Sequence, residues 1–454
     1  MKSSSHQKPL EKILQILQSP WSMALFLLGV FLATTAYKYG WDDQHLEIPL
    51  LKNLIDPTLY QNDYYVTSLK KNFSSFFYPI LAKLITVDQI PSTYFGLYLV
   101  SRYFLFFWIY KLWLTITNSK FKAIACVLTF ILITRVPEFM YRTFSHQEFT
   151  LAIIFAGIYY FFKNRFILSS LIFGLAANFH GLYSLFPMFF LGLTLLFQIK
   201  KFGLSTLIKS CGVFLLASAP FLIWTIQGRL THTSIDPNLT KDWVSLYYLA
   251  CPQNFLLGAA PLKEIMNNAG QIFKATQPYI YLISLFILNA VFNTSFKKNK
   301  NALFFCLGAF ALIIFSFVFT YIYPSRFVLD LNLARNSQFL LFLLTGFTTL
   351  LIIELFEKEN IFGVIVCTSL FFFIKLGNLA ALSSIGAIFF FLGFLNLLKK
   401  QNPLLKGLAV ISLFISGICV KGLFYAFATN PYSPSVKNIF LKIILIIILG
   451  TTVS

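Results

Sequence analysis

WDDQHLEIPLLKNLIDPTLYQNDYYVTSLKKNFSSFFYPILAKL, residues 41–84, is the longest polar interruption in the first half of a strongly apolar chain. Five carboxylates, Asp42, Asp43, Glu47, Asp56 and Asp63, fall within twenty-two positions, and Asp88 lies just beyond. The whole chain has only sixteen acids in 454 residues. Gathering so many here places the segment in water beside a bilayer, where it can bind or transform something.

The surroundings of this stretch set the fold class. At 57% hydrophobic, 11% charged and a mean hydropathy of +0.74, the chain is too apolar for a soluble domain. A spanning helix needs about 20 apolar residues, and apolar runs recur along the length, which predicts an all-α polytopic transmembrane bundle of about 11–14 spans. The expected organisation is a single transmembrane domain over 1–454, with a first outer loop at 38–91 and a large second one at 227–276. The apolar run from Trp21 is read as an uncleaved first span rather than a secretory signal.

The cations behind the formal charge of +20 include short clusters between apolar runs: Lys120 and Lys122, Lys163 with Arg165, Lys200 and Lys201, Lys297, Lys298 and Lys300, and Lys399 and Lys400. Cytoplasmic turns collect such residues. This orients the chain as a multi-pass protein of the cell (inner) membrane with a cytoplasmic N-terminus. With no basic soluble domain, no nucleic acid partner is expected. The six Cys, mostly inside apolar runs, show neither metal nor disulfide spacing.

On this map the remaining loops face outward: Asp42 to Asp88, Arg135 to Glu148, the surroundings of His180, Gly228 to Gln277, Pro324 to Asn336 and Ala428 to Lys437. They carry four of the five His and twelve of the sixteen acids. Arg135, Arg142, Arg229, Arg326 and Arg335 lie there as well, so the residue types suited to acid–base work and phosphate binding gather on one side. Within the first loop, Ile48, Leu51, Leu54 and Ile55 share a helical face with Pro49 in a first turn, and Asp56-Pro57 reads as the start of another short helix. Phe73, Phe76, Phe77, Ile80, Leu81 and Leu84 predict a helix over 67–85 lying in the headgroup plane. Ile55-Asp56-Pro57-Thr58-Leu59 has a faint echo in Ile235-Asp236-Pro237-Asn238-Leu239.

Three motifs stand out in this layout: Asp42-Asp43 directly after the first span, Ala177-Asn178-Phe179-His180-Gly181 at the outer end of a short span, and Leu331-Asn332-Leu333-Ala334-Arg335 leading into a late one. Together with a large acidic first outer loop, they resemble the GT-C superfamily of polytopic membrane glycosyltransferases. The resemblance implies a sugar donor on a polyprenyl phosphate or diphosphate, and an acceptor deprotonated by a loop carboxylate. Asp42 or Asp43 is then the base. Arg335, with Arg142 or Arg135, holds the donor phosphate, and His45, His180, His146 and Glu47 assist. Asp43, His45 and Glu47 also offer a ligand set for Mg²⁺ or Mn²⁺. The chain departs from many members of that superfamily in ending at Ser454 directly after an apolar run, without a soluble outer domain. Alternatives are a lipid-linked glycan polymerase or ligase, a secondary transporter with midplane charges in broken helices, and a non-catalytic scaffold in contact only with membrane lipids.

Overall fold

The structure is a computed structural model that describes residues 19–231, 243–257 and 269–360, together with Val364 and Cys367. The spans expected beyond residue 361, the N-terminal segment 1–18, His232 and the second Ile-Asp-Pro sequence at 235–239 lie outside the described residues. Among the described residues the regular secondary structure is entirely helical, as the apolar periodicity requires.

Helix α1, Pro20–Thr34, starts with Ser19 accepting from the Ser22 N–H and with proline in its first turn. The segment 41–84 folds into α2 (Gln44–Ile55), α3 (Tyr64–Asn72) and α4 (Phe77–Ala82). Then come α5 (Ile90–Thr117), α6 (Lys120–Leu128) with a π turn at Thr129–Thr134, α7 (His146–Phe162), α8 (Phe166–Ala177), α9 (Gly181–Phe197) and α10 (Ile199–Phe202). The remaining helices are α11 (Leu204–Thr231), α12 (Trp243–Ala250), α13 (Ala269–Phe292), α14 (Thr294–Lys298), α15 (Lys300–Phe317), α16 (Arg326–Asp330) and α17 (Ser337–Glu357).

Among the described residues, four stretches are long and apolar enough to cross a membrane: Val87–Thr117, Leu204–Gln227, Lys300–Ile322 and Leu333–Glu357. Pro20–Thr34, Phe166–Ala177, Gly181–Phe197 and Pro278–Phe292 are shorter apolar helices. This set suits a multi-pass membrane protein. Helix α11 exposes Ile208, Leu215, Leu216 and Ile223, an apolar surface suited to lipid.

The first loop differs from its sequence reading in three places. Pro49 lies inside α2 rather than in its first turn. Asp56 does not start a helix: it ends α2, and its carboxylate accepts from the N–H and hydroxyl of Thr58 in a local turn. Those two bonds hold the exposed Asp56 carboxyl below its usual range. The cap falls on Asp63, which accepts from the N–H groups of Tyr65 and Val66. The helix expected over 67–85 is broken into α3 and α4, because tertiary bonds claim the backbone between them. The Phe76 N–H donates to the Asn178 carbonyl at 3.0 Å, and the Ser75 hydroxyl donates to the Phe179 carbonyl at 2.7 Å.

The chain divides into two compact units. The first comprises Met1–Val127, Val136–Trp243 and Lys300–Ile314. In it α1 packs on α5, α5 on α7, α7 on α8, and α8 on both α9 and α11. Gly174 permits the last approach: a methyl there would stand 2.6 Å from the Ala217 Cβ and 2.8 Å from the Phe214 carbonyl oxygen. Pro220 interrupts α11. One residue on, the Phe221 N–H donates to Asn178 Oδ1 at 3.1 Å, while Asn178 Nδ2 donates to the Ala217 carbonyl at 2.9 Å. The carboxamide thus takes both ends of the bond a regular helix would make between Ala217 and Phe221.

The second unit comprises Leu128–Arg135, Val244–Asn299 and Phe315–Ser454. Its described core pairs α13 with α17 through buried amides. Asn289 Nδ2 donates to Thr348 Oγ1 at 2.9 Å and Asn293 Nδ2 to the Phe347 carbonyl at 2.6 Å. Buried amides with partners fix the register of helices that would otherwise slide on apolar faces.

Candidate functional site

The site is built at one end of the first unit, where the segment after α1 meets the loop that enters α7. After α1 the chain turns through Gly40 at φ +74 and Asp42 at φ +51. Asp is among the few L-residues that tolerate this left-handed region. The turn is sewn to the 142–144 segment: the Lys38 N–H donates to the Arg142 carbonyl at 2.9 Å, and Gln44 Nε2 donates to the Phe144 carbonyl at 2.8 Å. Gln44 Oε1 accepts in turn from the Gly40 N–H at 2.6 Å. Asp42, Asp43 and Arg142 are all exposed on the two joined segments. Asp43 opens α2 without a side-chain cap bond. Its charge reaches Tyr65 on α3, whose phenol is raised first by burial and then by Asp43. Lys38 lies 3.6 Å over the Trp41 ring.

Beneath this surface runs a polar cluster whose members lie far apart in sequence. Glu47 is buried on α2, and its Oε1 lies 3.1 Å from Nδ1 of His146, the first residue of α7. The Tyr78 hydroxyl of α4 is also 3.1 Å from that nitrogen. Burial first, and the Glu47 charge second, push the Tyr78 phenol well above its ordinary range, so it remains a hydroxyl and a donor. His146 stacks on His180 with centroids 4.7 Å apart and planes 11° from parallel. His180 caps α9, its Nδ1 accepting from the Tyr183 N–H at 3.4 Å. The Tyr183 hydroxyl donates to Glu138 Oε2 at 2.6 Å, and Tyr141 donates to the same oxygen at 3.2 Å. Acid, imidazole, imidazole, phenol and acid follow one another from α2 to the turn Pro137–Phe139.

A buried cation anchors that turn. Arg102, in the middle of α5 and 1% exposed, donates to the carbonyls of Phe139 at 2.5 Å and Tyr141 at 2.8 Å. Its guanidinium is 3.9 Å from Glu148 Oε1. Glu148 Oε2 meanwhile accepts from the N–H and the hydroxyl of Ser145, both at 2.7 Å, closing a capping box on α7. Arg102 was missed by the sequence reading because it sits inside an apolar run. An Arg in such a run, with no partner within one helical turn, is the signal that points to a distant acid or carbonyl.

The sequence-derived residues therefore part into groups. Asp42, Asp43 and Arg142 share a surface, and Glu47, His146 and His180 share the cluster below it, joined by Tyr78, Tyr183 and Glu138. His45 is exposed. Asp43, His45 and Glu47 do not form a metal-holding set: Glu47 is buried against His146 while the other two are exposed. Among the described residues no three His, Cys, Asp or Glu side chains are grouped to hold a metal ion. Arg135 and Arg335 belong to the second unit. Arg135, half-buried with φ +40, closes the π turn, and half-buried Arg335 lies in the short 3-10 segment Leu333–Asn336 that leads into α17. Asp330, one turn from Arg326, accepts from the Tyr247 hydroxyl at 2.8 Å.

No family model matches the chain, and neither the curated proteins nor the solved structures contain a match to it.

Proposed function

We propose that this chain is a polytopic membrane glycosyltransferase of the GT-C kind. It takes a sugar from a polyprenyl-phosphate-linked donor and passes it to an acceptor hydroxyl at the outer face of the cell membrane. The observation that carries the reading is the seam between Lys38–Gln44 and Arg142–Phe144, which joins the segment bearing the exposed Asp42 and Asp43 to the segment bearing the exposed Arg142. Asp42 or Asp43 takes the acceptor proton as the acceptor oxygen attacks the anomeric carbon. The bond from that carbon to the phosphate oxygen breaks, and the phosphate leaves with the electron pair against Arg142. The left-handed backbone at Asp42 supports the reading, since such conformations gather at working sites. Glu47, His146 and Tyr78 hold the α2 end of the seam from below.

Sugar transfer from a mixed pool of radiolabelled polyprenyl-phosphate sugars, by the purified full chain in nanodiscs, tests it. Label should reach an acceptor with wild type, and Asp42→Asn or Asp43→Asn should lower the rate by about 10²-fold or more at unchanged folding. Arg142→Ala should raise the donor concentration needed. Absence of transfer from every donor, with labelled solute crossing the bilayer instead, would replace this reading with transport.

A further inference from the structure

Behind the seam lie two buried carboxylates and one buried guanidinium. Glu47 is 6% exposed, Glu148 2% and Arg102 1%. Arg102 reaches Glu148, while Glu47 meets the His146 imidazole at 3.1 Å. Uncompensated buried charge is expensive, and a site that must hold one recruits a cation or a proton. The two acids lie close enough for the charge on Glu47 to act on Glu148. Each has a buried oxygen without a hydrogen-bond partner: Oε2 of Glu47, whose Oε1 faces His146, and Oε1 of Glu148, whose Oε2 is taken by Ser145. Arg102 spends two N–H groups on the Phe139 and Tyr141 carbonyls and reaches Glu148 only at 3.9 Å.

We infer that Glu47 and Glu148 form a one-proton binding site, with the proton carried on Glu148 Oε1. The proton neutralises a buried charge that Arg102 meets only at 3.9 Å. The groups acting on Glu148 are Arg102 from α5, Ser145 before α7 and Glu47 from α2. Those facing Glu47 are His146, Tyr78 and Tyr94, with His180 stacked behind His146. Burial is the largest influence on Glu148 and the Glu47 charge adds to it. Together they outweigh Arg102 and Ser145, so the carboxyl rises from 4.5 to about 7. A carboxyl raised on folding binds its proton more tightly in the folded chain. The stability it contributes is full below 4.5 and is lost as pH rises to about 7. Above that, the charges of Glu47 on α2 and Glu148 on α7 repel each other. The proton thereby sets how firmly α2, and with it the Asp42–Asp43 turn, is held.

Infrared difference titration of the full chain in nanodiscs reads the site directly. Wild type should show a protonated-carboxyl band that fades with a midpoint of about 7, and Glu148→Gln should lack it. Glu47→Gln should retain the band and shift its midpoint to higher proton concentration, because the neighbouring charge is gone. In parallel, the wild-type unfolding temperature should fall from about pH 5 to about pH 7, and that of Glu148→Gln should stay level. A Glu148→Gln spectrum identical to wild type overturns the inference, as does a midpoint that Glu47→Gln leaves in place. Should Glu148→Gln fail to fold, the Glu47→Gln shift alone decides. None of these readouts depends on sugar transfer, so the site stands or falls apart from the proposed activity.

Discussion

Arg102→Met removes the only charged group that reaches the Pro137–Phe139 turn from α5, and its cost follows from the contacts. Two carbonyls, those of Phe139 and Tyr141, lose donors held at 2.5 and 2.8 Å, and Glu148 loses its counter-charge at 3.9 Å. Hydrogen bonds from a charged donor contribute about 1.5–3 kcal/mol each, and breaking a buried pair by deleting one partner costs about 3–5 kcal/mol. These figures overlap, because the stranded carbonyls and the stranded carboxylate share one loss. The sum expected is about 4 kcal/mol, with Met filling most of the aliphatic volume. Thermal or detergent-induced unfolding of the purified chain above about pH 7, where Glu148 has lost its proton, measures it. The double variant Arg102→Met with Glu148→Gln gives the sharper reading. With the stranded charge gone, about 1–2 kcal/mol should return, and a cycle of the four proteins isolates that coupling. A single variant within about 1 kcal/mol of wild type would refute the clamp. A double variant no better than the sum of its parts would refute the charge argument.

Other consequences are separable. Asn178→Ala should cost about 1–2 kcal/mol by removing the carboxamide that bridges Ala217 and Phe221; the loss should shrink in a Pro220→Ala background, where α11 can close its own bond, and an equal loss in both would discount the bridge. Gly174→Ala should destabilise by about 1–3 kcal/mol, since the new methyl meets the fixed Phe214 carbonyl at 2.8 Å; unchanged unfolding would show that α8 and α11 separate freely. His146→Phe keeps the stack on His180 but ends the contacts with Glu47 and Tyr78, so protease cleavage within 41–84 should rise several-fold as the segment opens more often. Unaltered cleavage would show that the segment is held by other contacts.

The helices themselves were largely legible in the sequence. The four long apolar stretches are of the kind that the recurring apolar runs predict, because spanning length and composition are local properties. Asp42, Asp43 and Arg142, which the sequence places in loops outside the apolar runs, are exposed in the structure. Local chemistry was less secure inside the first loop. Asp56-Pro57 reads as a helix start on paper, yet the cap falls on Asp63 and Asp56 is turned back on Thr58.

What only the tertiary structure decided is which residues meet. Glu47 reads as an exposed loop acid beside His45, yet its partner is His146, ninety-nine positions away. Arg102, Tyr78 and Tyr183 look like interior residues of apolar helices, and their partners arrive from the 138–148 loop. Periodicity assigns a residue to a face of its own helix, with neighbours three or four positions off. It carries no information about the helix that will cover that face. In a chain whose faces are nearly uniform in Phe, Leu and Ile, the few buried polar groups select the pairing, since each must find a partner once water is gone. The sequence by itself therefore determined that this protein is a set of apolar helices with a polar first loop. The contacts among a handful of polar side chains determined how that loop is fastened.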